Sequence, residues 1–592
     1  MKSILSVIFI ALATVAQSQE LPVGFTPQEW EALQHGQVII DNGQSRGIAS
    51  PPPNSNIRCM AEWEEIQCLT IAWISYPTIL KQIVANAKTQ TRVIILSEDV
   101  AATEAYLLAN NAGGAPLDNL DNVTILPASF DSVWMRDYAA NPAYGNEVDS
   151  LILVDWIYNR PTRPNDDASP EYIATELGIP LYEMTTAPED LVNTGGNWMS
   201  DGFGTAFASN LILDENAMGN PYGVTAKTES YIDDIMQDYL GIDRYIKMPT
   251  LPYDGIHHID MHMKLIDEET LLIGEYPDGI SDGPQINANI EYILSNYQSK
   301  WNTPYRIVRI PMPNSTGGAW PSNGASYRTY TNAVFVNKMV LLPLYRTQYD
   351  TTALRIWNEA LPGFQIIGID CDNNPDNIIS ASGAIHCITH SVGVQDPLLI
   401  SHQSLTDTDN TTVPYEVVAY MNHRSGMMEG KLFWKTTLTG AYNEVMMTSI
   451  GNNNWQGFIP AQPIGTRVYY YVQGTANAGK VQVRPIAAPT GYWFFDVVDQ
   501  LSQVEETIVV ESKLFPNPAS DLTCLRLQFP FNGDVRVALY DILGKEVSLI
   551  YSGEAAMGEK QFFFNVSDLA PGTYEVCIIH SGGAQHKSLV VK

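Results

Sequence analysis

The chain has 592 residues, 45% of them hydrophobic and 10% aromatic, and at that length it has material for several packed domains rather than one. Its 33 basic and 65 acidic residues give a formal net charge of −32 at pH 7. A charge of that sign and size repels nucleic acid and anionic membrane surfaces, so neither is expected as a partner. The cysteines form no CxxC pair, which argues against a thiolate zinc cluster.

Residues 1–18 have the layout of a secretory signal peptide. Lys2 precedes an apolar run that is too short to cross a bilayer, and Ala16-Gln-Ser18 is a small-x-small cleavage site. A buried N-terminal helix is the alternative. Residues 19–54 are polar, contain Pro51-Pro-Pro53 near their end and are interpreted as a leader. No later segment is apolar enough to predict a transmembrane span.

Strand-like and helix-like segments alternate from residue 55 to residue 395, which is typical of an α/β domain. Ser169 is the predicted cap of one helix, and Gly178 and Gly241 end two of the helices. The predicted helices span 169–177, 230–240 and 350–361, and the predicted buried strands span 92–96, 151–154, 307–310, 333–336 and 366–369.

The helix-like segments disappear after residue 396. Period-two alternation predicts strands at 415–420, 430–434 and 467–472. We expect an all-β domain of immunoglobulin-like size over 396–498, a polar linker over 499–510 and a small all-β domain over 511–592. Cys59 with Cys68 and Cys524 with Cys577 are candidate disulfides, although sequence alone leaves the pairing open.

One cysteine is a candidate nucleophile. Cys387 directly follows His386 and a run of small residues that begins at Ser380, and such a run lets the backbone approach a ligand closely. A thiol reacts as the thiolate, so this one needs a nearby cation or a shaped pocket. A buried structural cysteine is the alternative.

Two carboxylates accompany it, Asp137 in Trp134-Met-Arg-Asp137 and Asp260 in His258-Ile-Asp260. If both face one pocket, they fit a planar guanidinium, whose N–H groups form a rigid fork. The bound cation would lower the pKa of Cys387, and His258 would protonate the leaving ammonia and later activate water. A surface ion pair, a turn residue and a core tryptophan are the alternatives for Asp137, Asp260 and Trp134.

A metallohydrolase is the second hypothesis. Four side chains of ligand type lie close together in the sequence, namely His257, His258, Asp260 and His262, and His386 and His390 could join them. If this stretch is one strand, alternation places 258, 260 and 262 on one face and 257 on the other.

The motifs of residues 55–395 resemble those of the guanidino-group-modifying deiminases, specifically the Porphyromonas-type peptidylarginine deiminases and the agmatine deiminases. The residues that carry the resemblance are Ala61-Glu-Trp-Glu-Glu65, Trp134-x-Arg-Asp137, Asn193-Thr-Gly-Gly-Asn197, His258-x-Asp260, Tyr330-Thr-Asn332 and Ile385-His-Cys387. The last block resembles the C-terminal sorting domain of type IX secretion, through Pro516-Asn-Pro518, Asp541-x-x-Gly-Lys545 and Pro571-Gly-x-Tyr574.

The resemblance implies a five-bladed pentein-type α/β propeller that hydrolyses the arginine guanidinium to citrulline and ammonia, without metal or organic cofactor. It implies Cys387 as nucleophile, His258 as general acid and base, and Asp137 and Asp260 as guanidinium holders, with Asn332 lining the pocket and Trp134 walling it. The sorting domain implies export by the type IX machinery, to the medium or the cell surface.

The substrate is the open point of the resemblance. In the peptidylarginine branch, two arginines of Asn-Arg-Pro-Arg-Pro grip the carboxylate of a C-terminal arginine, whereas this chain has Asn159-Arg-Pro-Thr-Arg-Pro164. Arg160 and Arg163 could still bind a carboxylate, or one of them pairs with Asp166 or Asp167.

Two further departures concern glycines. Gly255 replaces the family's aromatic residue three positions before His258, and the family's glycine triplet before the cysteine is reduced to Gly383. Export and the appended β domains favour peptide or protein arginine as substrate, and agmatine or free arginine is the alternative.

Overall fold

The computed structural model describes residues 21–36, 46–373, 375–499, 511–529, 533–541, 545–567, 569–580 and 583–592. The predicted signal peptide and all but the first residue of the predicted linker lie outside these ranges. The chain divides into two compact units. The first comprises Met1–Thr406, Thr412–Ala461 and Arg467–Phe495, and the second comprises Asp407–Thr411, Gln462–Thr466 and Asp496–Lys592.

The α-helices all belong to the first unit within the described ranges. They are α1 (Pro27–Gln34), α2 (Pro77–Ala87), α3 (Val100–Leu108), α4 (Met135–Tyr138), α5 (Pro164–Asp167), α6 (Ser169–Leu177), α7 (Leu211–Glu215), α8 (Glu229–Leu240), α9 (Gly283–Asn296) and α10 (Thr347–Ala360). Among the described residues, none of these helices has the length and apolarity that a membrane span requires. The predicted helices at 169–177, 230–240 and 350–361 are confirmed as α6, α8 and α10, although Ala168 rather than Ser169 precedes α6 as its cap residue.

Short strands accompany these helices up to residue 393. They are β1 (Arg58–Cys59), β2 (Ile66–Ala72), β3 (Arg92–Ser97), β4 (Val123–Pro127), β5 (Asn141–Gly145), β6 (Ser150–Tyr158), β7 (Leu181–Met184), β8 (Val192–Asn193), β9 (Met199–Ser200), β10 (Thr205–Ser209), β11 (Arg244–Met248), β12 (Met263–Leu265), β13 (Thr270–Glu275), β14 (Arg306–Pro311), β15 (Val334–Val336), β16 (Met339–Leu344), β17 (Gln365–Asp370) and β18 (His390–Gly393). All five strands predicted in this region are confirmed as parts of β3, β6, β14, β15 and β17.

These strands form five sheets that share one connectivity. The sheets are ordered β1-β5-β6-β7 with β8 beside β6, β11-β10-β9, β12-β13-β14, β15-β16-β17 and β18-β2-β3-β4. In each, an antiparallel pair is followed by a parallel pair, and at least one helix connects the two parallel strands. We call each such unit a module. In the last module to be completed, β18 pairs with β2, so His390 lies opposite Thr70.

Burial explains why these sequences form these elements. The apolar run of β3 is inaccessible from Val93 to Leu96, as expected for a strand that is covered on both faces. Helix α8 begins after Thr228, whose side chain accepts from the backbone of Tyr231, and it ends at Gly241 with φ of 68°. A Cβ at position 241 would lie 1.7 Å from the carbonyl oxygen of Ile57, so both backbone conformation and close packing require glycine there.

The rest of the first unit is β-rich. Its strands are β19 (Leu399–Ser401), β20 (Tyr415–Asn422), β21 (Met427–Lys435), β22 (Asn443–Gly451), β23 (Asn454–Ile459), β24 (Arg467–Ala476), β25 (Val481–Arg484) and β26 (Trp493–Asp496). They are ordered β19-β20-β23-β22-β21-β24-β25, and β26 also pairs with β24. The strands predicted at 415–420, 430–434 and 467–472 are confirmed.

The second unit contains two small sheets of its own. Its strands are β27 (Glu511–Phe515), β28 (Leu522–Phe529), β29 (Gly533–Tyr540), β30 (Glu546–Ala555), β31 (Gly558–Asn565), β32 (Gly572–His580) and β33 (Gly583–Val591), in the orders β27-β28-β31 and β30-β29-β32-β33. Leu525, Leu527, Val537 and Ile578 belong to its separate apolar core.

The candidate disulfides are wrong, because all six cysteines are free and buried. Cys59 lies on β1 and Cys68 on β2, and these strands belong to different sheets. Cys524 on β28 and Cys577 on β32 are likewise in different sheets. Six thiols without cross-links leave the fold to depend on packing alone.

Candidate active site

Each of the five modules contributes the segment that precedes its antiparallel pair. Asp137 lies in α4 before β5, and the 3₁₀ turn Gly195–Asn197 precedes β9. The turn Ile259–Met261, which contains Asp260, precedes β12, Asn332 precedes β15, and Cys387 precedes β18. Hydrogen bonds and close contacts join these five segments, so residues spread over 250 positions of sequence meet at one buried centre.

Cys387 is fully buried beside an amide and a carboxylate. Asn332 Nδ2 donates to the sulfur over 3.2 Å, and Asp260 Oδ2 lies 3.9 Å from it. The Oδ1 atom of Asn332 accepts from the backbone N–H of His386 at 3.0 Å and of Cys387 at 3.4 Å, which fixes the loop. Burial, together with the negative charges of Asp260 and Asp137, raises the pKa of the Cys387 thiol well above its ordinary value. The resting cysteine is therefore a thiol.

Asp137 and Asp260 are 1% exposed. Asp137 Oδ1 accepts from the backbone N–H of Gly196 at 3.1 Å, and Asp260 Oδ2 accepts from Asn332 Nδ2 at 3.0 Å. In the described part of the chain, no hydrogen-bond partner meets Asp137 Oδ2 or Asp260 Oδ1. Burial and the charge of Asp260 raise the pKa of Asp137 to about 7. Two buried carboxyl groups with unpaired oxygens are suited to a cation with several N–H donors.

His258 lies against Asp137. Its Nδ1 atom is 3.6 Å from Asp137 Oδ1, and its Nε2 atom is 3.4 Å from the hydroxyl of Thr194. Complete burial lowers the pKa of His258 to about 3, against the opposing effect of Asp260. The resting imidazole is therefore neutral and can accept a proton only when the charges around it change.

Gly195 and Gly196 allow these groups to approach one another. A Cβ at position 195 would lie 1.9 Å from the carbonyl oxygen of Arg136, and one at position 196 would lie 2.2 Å from His258 Nδ1. No side chain fits at either distance, so this pair of glycines is a steric requirement of the site.

A buried charge network lies behind Asp260, and sequence reasoning missed it. His386 Nδ1 is 2.7 Å from Asp260 Oδ2, and His386 Nε2 is 3.2 Å from Glu62 Oε2. Lys264 Nζ donates to the same Glu62 oxygen at 2.7 Å, and Arg136 lies 3.7 Å from the other. Against the effect of burial, these cations hold the pKa of Glu62 well below its ordinary value. Only an imidazolium can donate to both carboxylates at once.

The positions of Glu62 and His386 carried a signal in the sequence. Both belong to motifs that had been singled out, the acidic stretch 61–65 and the residue before the nucleophile. Nothing in the spacing of 324 residues between them indicated a contact.

The metal-ligand alternative is not assembled. The stretch is not one strand, because His257 has φ of 58° and Ile259–Met261 is a 3₁₀ turn, so the strand-face argument was wrong. His262 is buried with both ring nitrogens unpaired among the described residues, and burial lowers its pKa to about 4. Within the described ranges, no three His, Cys, Asp or Glu side chains are arranged to hold a metal ion.

Trp134, Arg160 and Arg163 contact residues 21–30, which fall in the predicted leader. Trp134 is fully buried, and its Nε1 atom donates to the carbonyl oxygen of Leu21 over 2.9 Å. Arg163 pairs with Glu29, and in the described ranges neither arginine forms an ion pair with Asp166 or Asp167. Asp166 is instead engaged by Ser132, and Asp167 by Arg46. The alternative pairing for the arginines was therefore wrong.

Comparison with known proteins decides the family. The family model of the Porphyromonas-type peptidyl-arginine deiminases matches residues 58–392, which is more than half of the chain. The chain belongs to this family. The deiminase is accordingly an amidine-hydrolysing enzyme that acts on C–N bonds. A secretion system C-terminal sorting domain matches residues 513–592, which confirms the type IX resemblance and implies export to the medium or the cell surface.

Several individual relatives carry the name of another substrate. The Vibrio parahaemolyticus protein named "Putative agmatine deiminase" is 22% identical over 373 residues, which are 58% of this deiminase and 99% of the relative. The solved agmatine deiminase of Enterococcus faecalis is 17% identical, covers 60% of this chain and 100% of its own, and has a TM-score of 0.48. That of C. jejuni is 19% identical over 57% of this chain and 96% of its own, with a TM-score of 0.45.

Proposed function

We propose that this deiminase is exported and converts arginine residues of peptides or proteins to citrulline, with release of ammonia. The observation that carries the chemistry is the pair of buried carboxyl groups with unpaired oxygens, Asp137 and Asp260, beside the Cys387 thiol. A guanidinium is the arginine group that presents N–H donors to both carboxylates while leaving its carbon open to the sulfur.

The charges of the site supply the order of events. A bound guanidinium brings positive charge to Asp137 and Asp260, which removes the main electrostatic opposition to a Cys387 thiolate. The thiolate adds to the guanidinium carbon, and the proton goes to a leaving nitrogen through His258. The C–N bond breaks, ammonia leaves, and a thiouronium remains on the sulfur.

Hydrolysis reverses the roles. His258 takes a proton from a water molecule, and the resulting hydroxide adds to the thiouronium carbon. The C–S bond then breaks, the ureido product leaves, and the thiol is restored by the proton held on His258. Asn332 Nδ2, at 3.2 Å from the sulfur, stabilises the thiolate whenever it forms.

The domain organisation is part of the proposal. We propose that the five modules are the blades of a pentein-type propeller over 55–395, that 396–498 is an immunoglobulin-like domain, and that residues 1–18 are a signal peptide. The shared connectivity of the five sheets supports the first of these. Export and the additional β domains favour peptide and protein substrates, since a small intracellular amine requires neither.

Agmatine is the second candidate substrate, because individual relatives are named agmatine deiminases. The test measures ureido product in the presence of EDTA from three compounds: a peptide ending in arginine, the same peptide ending in arginine amide, and agmatine. Product from either peptide supports the proposal, and product from agmatine alone moves the enzyme to the amine branch. Cys387→Ser is the control for the thiol mechanism, and loss of activity with EDTA would contradict a metal-free reaction.

A further inference from the structure

Residues 21–34 pack against the residues that the resemblance assigns to substrate recognition, and we call this segment the N-terminal strap. The carbonyl oxygen of Leu21 accepts from Trp134, and the N–H of Val23 donates to the carbonyl of Ala381 at 3.0 Å. Val23 is fully buried and lies against Gly383 in the loop that leads to Cys387. The strap therefore contacts both the proposed pocket wall and the nucleophile loop.

Both arginines of the expected carboxylate clamp are bound by the strap. Arg160 Nε donates to the carbonyl oxygen of Val23 at 3.0 Å, and its guanidinium stacks 4.4 Å from the centre of the Phe25 ring. Arg163 donates through Nε and Nη2 to the two carboxylate oxygens of Glu29, at 2.8 and 3.0 Å, and through Nη2 to the carbonyl of Gly24 at 2.9 Å. Arg163 is itself fully buried.

The surroundings of Glu29 form a complete carboxylate-binding site. Besides Arg163, the hydroxyl of Thr162 donates to Oε1 at 2.9 Å and the backbone N–H of Thr26 donates to Oε2 at 2.7 Å. Glu29 also stands in the first turn of α1, where the helix dipole favours negative charge. The contacts with Arg163 and Thr162 hold the pKa of Glu29 at about 2 despite partial burial. A fork-to-fork arginine pair of this kind is also how a substrate carboxylate would be gripped.

This subsite adjoins the reacting centre. Arg160 lowers the pKa of both Asp137 and His258 through its charge, so the strap-bound arginine faces the catalytic carboxyl group. A carboxylate that displaced Glu29 from Arg163 would therefore belong to a substrate whose guanidinium occupies the site between Asp137 and Asp260.

We propose that Glu29 is an internal ligand of the substrate-carboxylate subsite, and that the strap competes with peptides that end in arginine. Glu29 is then a specificity-determining residue of the deiminase. As long as it holds Arg163, the enzyme favours substrates without an adjacent carboxylate, such as internal arginine or an arginine amide. This inference rests on the proposed function, whose site it extends.

The test compares Glu29→Gln with the full-length wild type on the three compounds named above. Glutamine keeps the shape of Glu29 but loses its charge, and a hydrogen bond to a charged group contributes about 1.5–3 kcal/mol. We therefore expect kcat/KM for the free-carboxylate peptide to rise by about tenfold or more, with less than about a twofold change for the amide and for agmatine. Glu31→Gln, an exposed residue of the same helix, is the matched charge control and should change nothing.

A second variant separates competition from loosened packing. Arg163→Gln in the Glu29→Gln background should abolish the gain for the free-carboxylate peptide, because the subsite itself is gone. Equal changes with all three compounds, or no gain with the free carboxylate, would overturn the proposal.

Binding distinguishes this inference from the catalytic one. With Cys387→Ser as the background, Glu29→Gln should tighten the Kd of the free-carboxylate peptide, measured by calorimetry, and leave that of the amide unchanged. Tightening without any ureido product from the active enzyme would refute the proposed function and support the strap. Product from the active enzyme with no tightening would do the reverse.

Discussion

The substitution Gly196→Ala tests the geometry of the site most directly. The added Cβ would stand 2.2 Å from His258 Nδ1 and 2.9 Å from Asp137 Oδ1, whereas ordinary contact begins near 3.4 Å. Either the imidazole or the turn must move by about 1.2 Å, and a misplacement of about 1 Å costs about 100-fold in rate. Moving the turn is no remedy, because the N–H of residue 196 then loses Asp137. We expect kcat/KM to fall by about 100-fold or more.

The assay is ureido-product formation under kcat/KM conditions, with thermal unfolding as a check of the fold. Overpacking costs about 1–3 kcal/mol, so the variant should remain folded at 25 °C. Gly317→Ala is the matched control, because its Cβ would meet nothing nearer than 3.9 Å and the residue is exposed. A folded Gly196→Ala enzyme with wild-type kcat/KM would refute the steric reasoning and the assignment of His258 and Asp137 to the reaction.

Three further predictions follow from the charges of the site. With a pKa of about 7, Asp137 is protonated in acid, so kcat/KM should fall about tenfold per pH unit below 7; a flat profile between pH 5 and 8 would contradict this. Because that pKa is raised above the unfolded value, ionisation of Asp137 lowers the free energy of unfolding as pH rises from 4 to 7, by up to about 4 kcal/mol. Asp137→Asn should remove that dependence in pH-resolved denaturation, and an unchanged slope would refute it. His386→Asn removes the imidazolium between Asp260 and Glu62, and should lower kcat/KM by about 10- to 100-fold and move its acid limb, whereas a purely structural role would leave the limb in place.

Much of the local structure could be read from the sequence, since it depends on neighbouring residues. The apolar run of β3 and the terminal glycine of α8 fix their elements through burial and backbone conformation. The shared connectivity of the five modules was invisible, because the modules repeat in topology and no internal sequence repeat was found. A topology can recur when different apolar side chains fill equivalent places.

The candidate residues of the site were named correctly as neighbours, but their environment was not. The convergence of Asp137, Asp260, Asn332 and Cys387 came from motif resemblance, and no rule of spacing could have placed them together. The pairing of Arg163 with Glu29 was missed because an arginine near two aspartates in sequence suggests a local partner. The fold instead brings in a carboxylate from 134 residues away.

The antiparallel pairing of β18 with β2 has a consequence for when the enzyme can act. Residue 390 must lie opposite residue 70 before the loop that carries Cys387 is anchored, so the sulfur is delivered after every other group of the centre has been synthesised. A nascent chain that stops short of this strand contains the carboxylates and the histidine but no seated nucleophile. The order of translation thus makes the reaction the last property that the catalytic region acquires, which would spare the arginines of the ribosome and of the producing cell during synthesis.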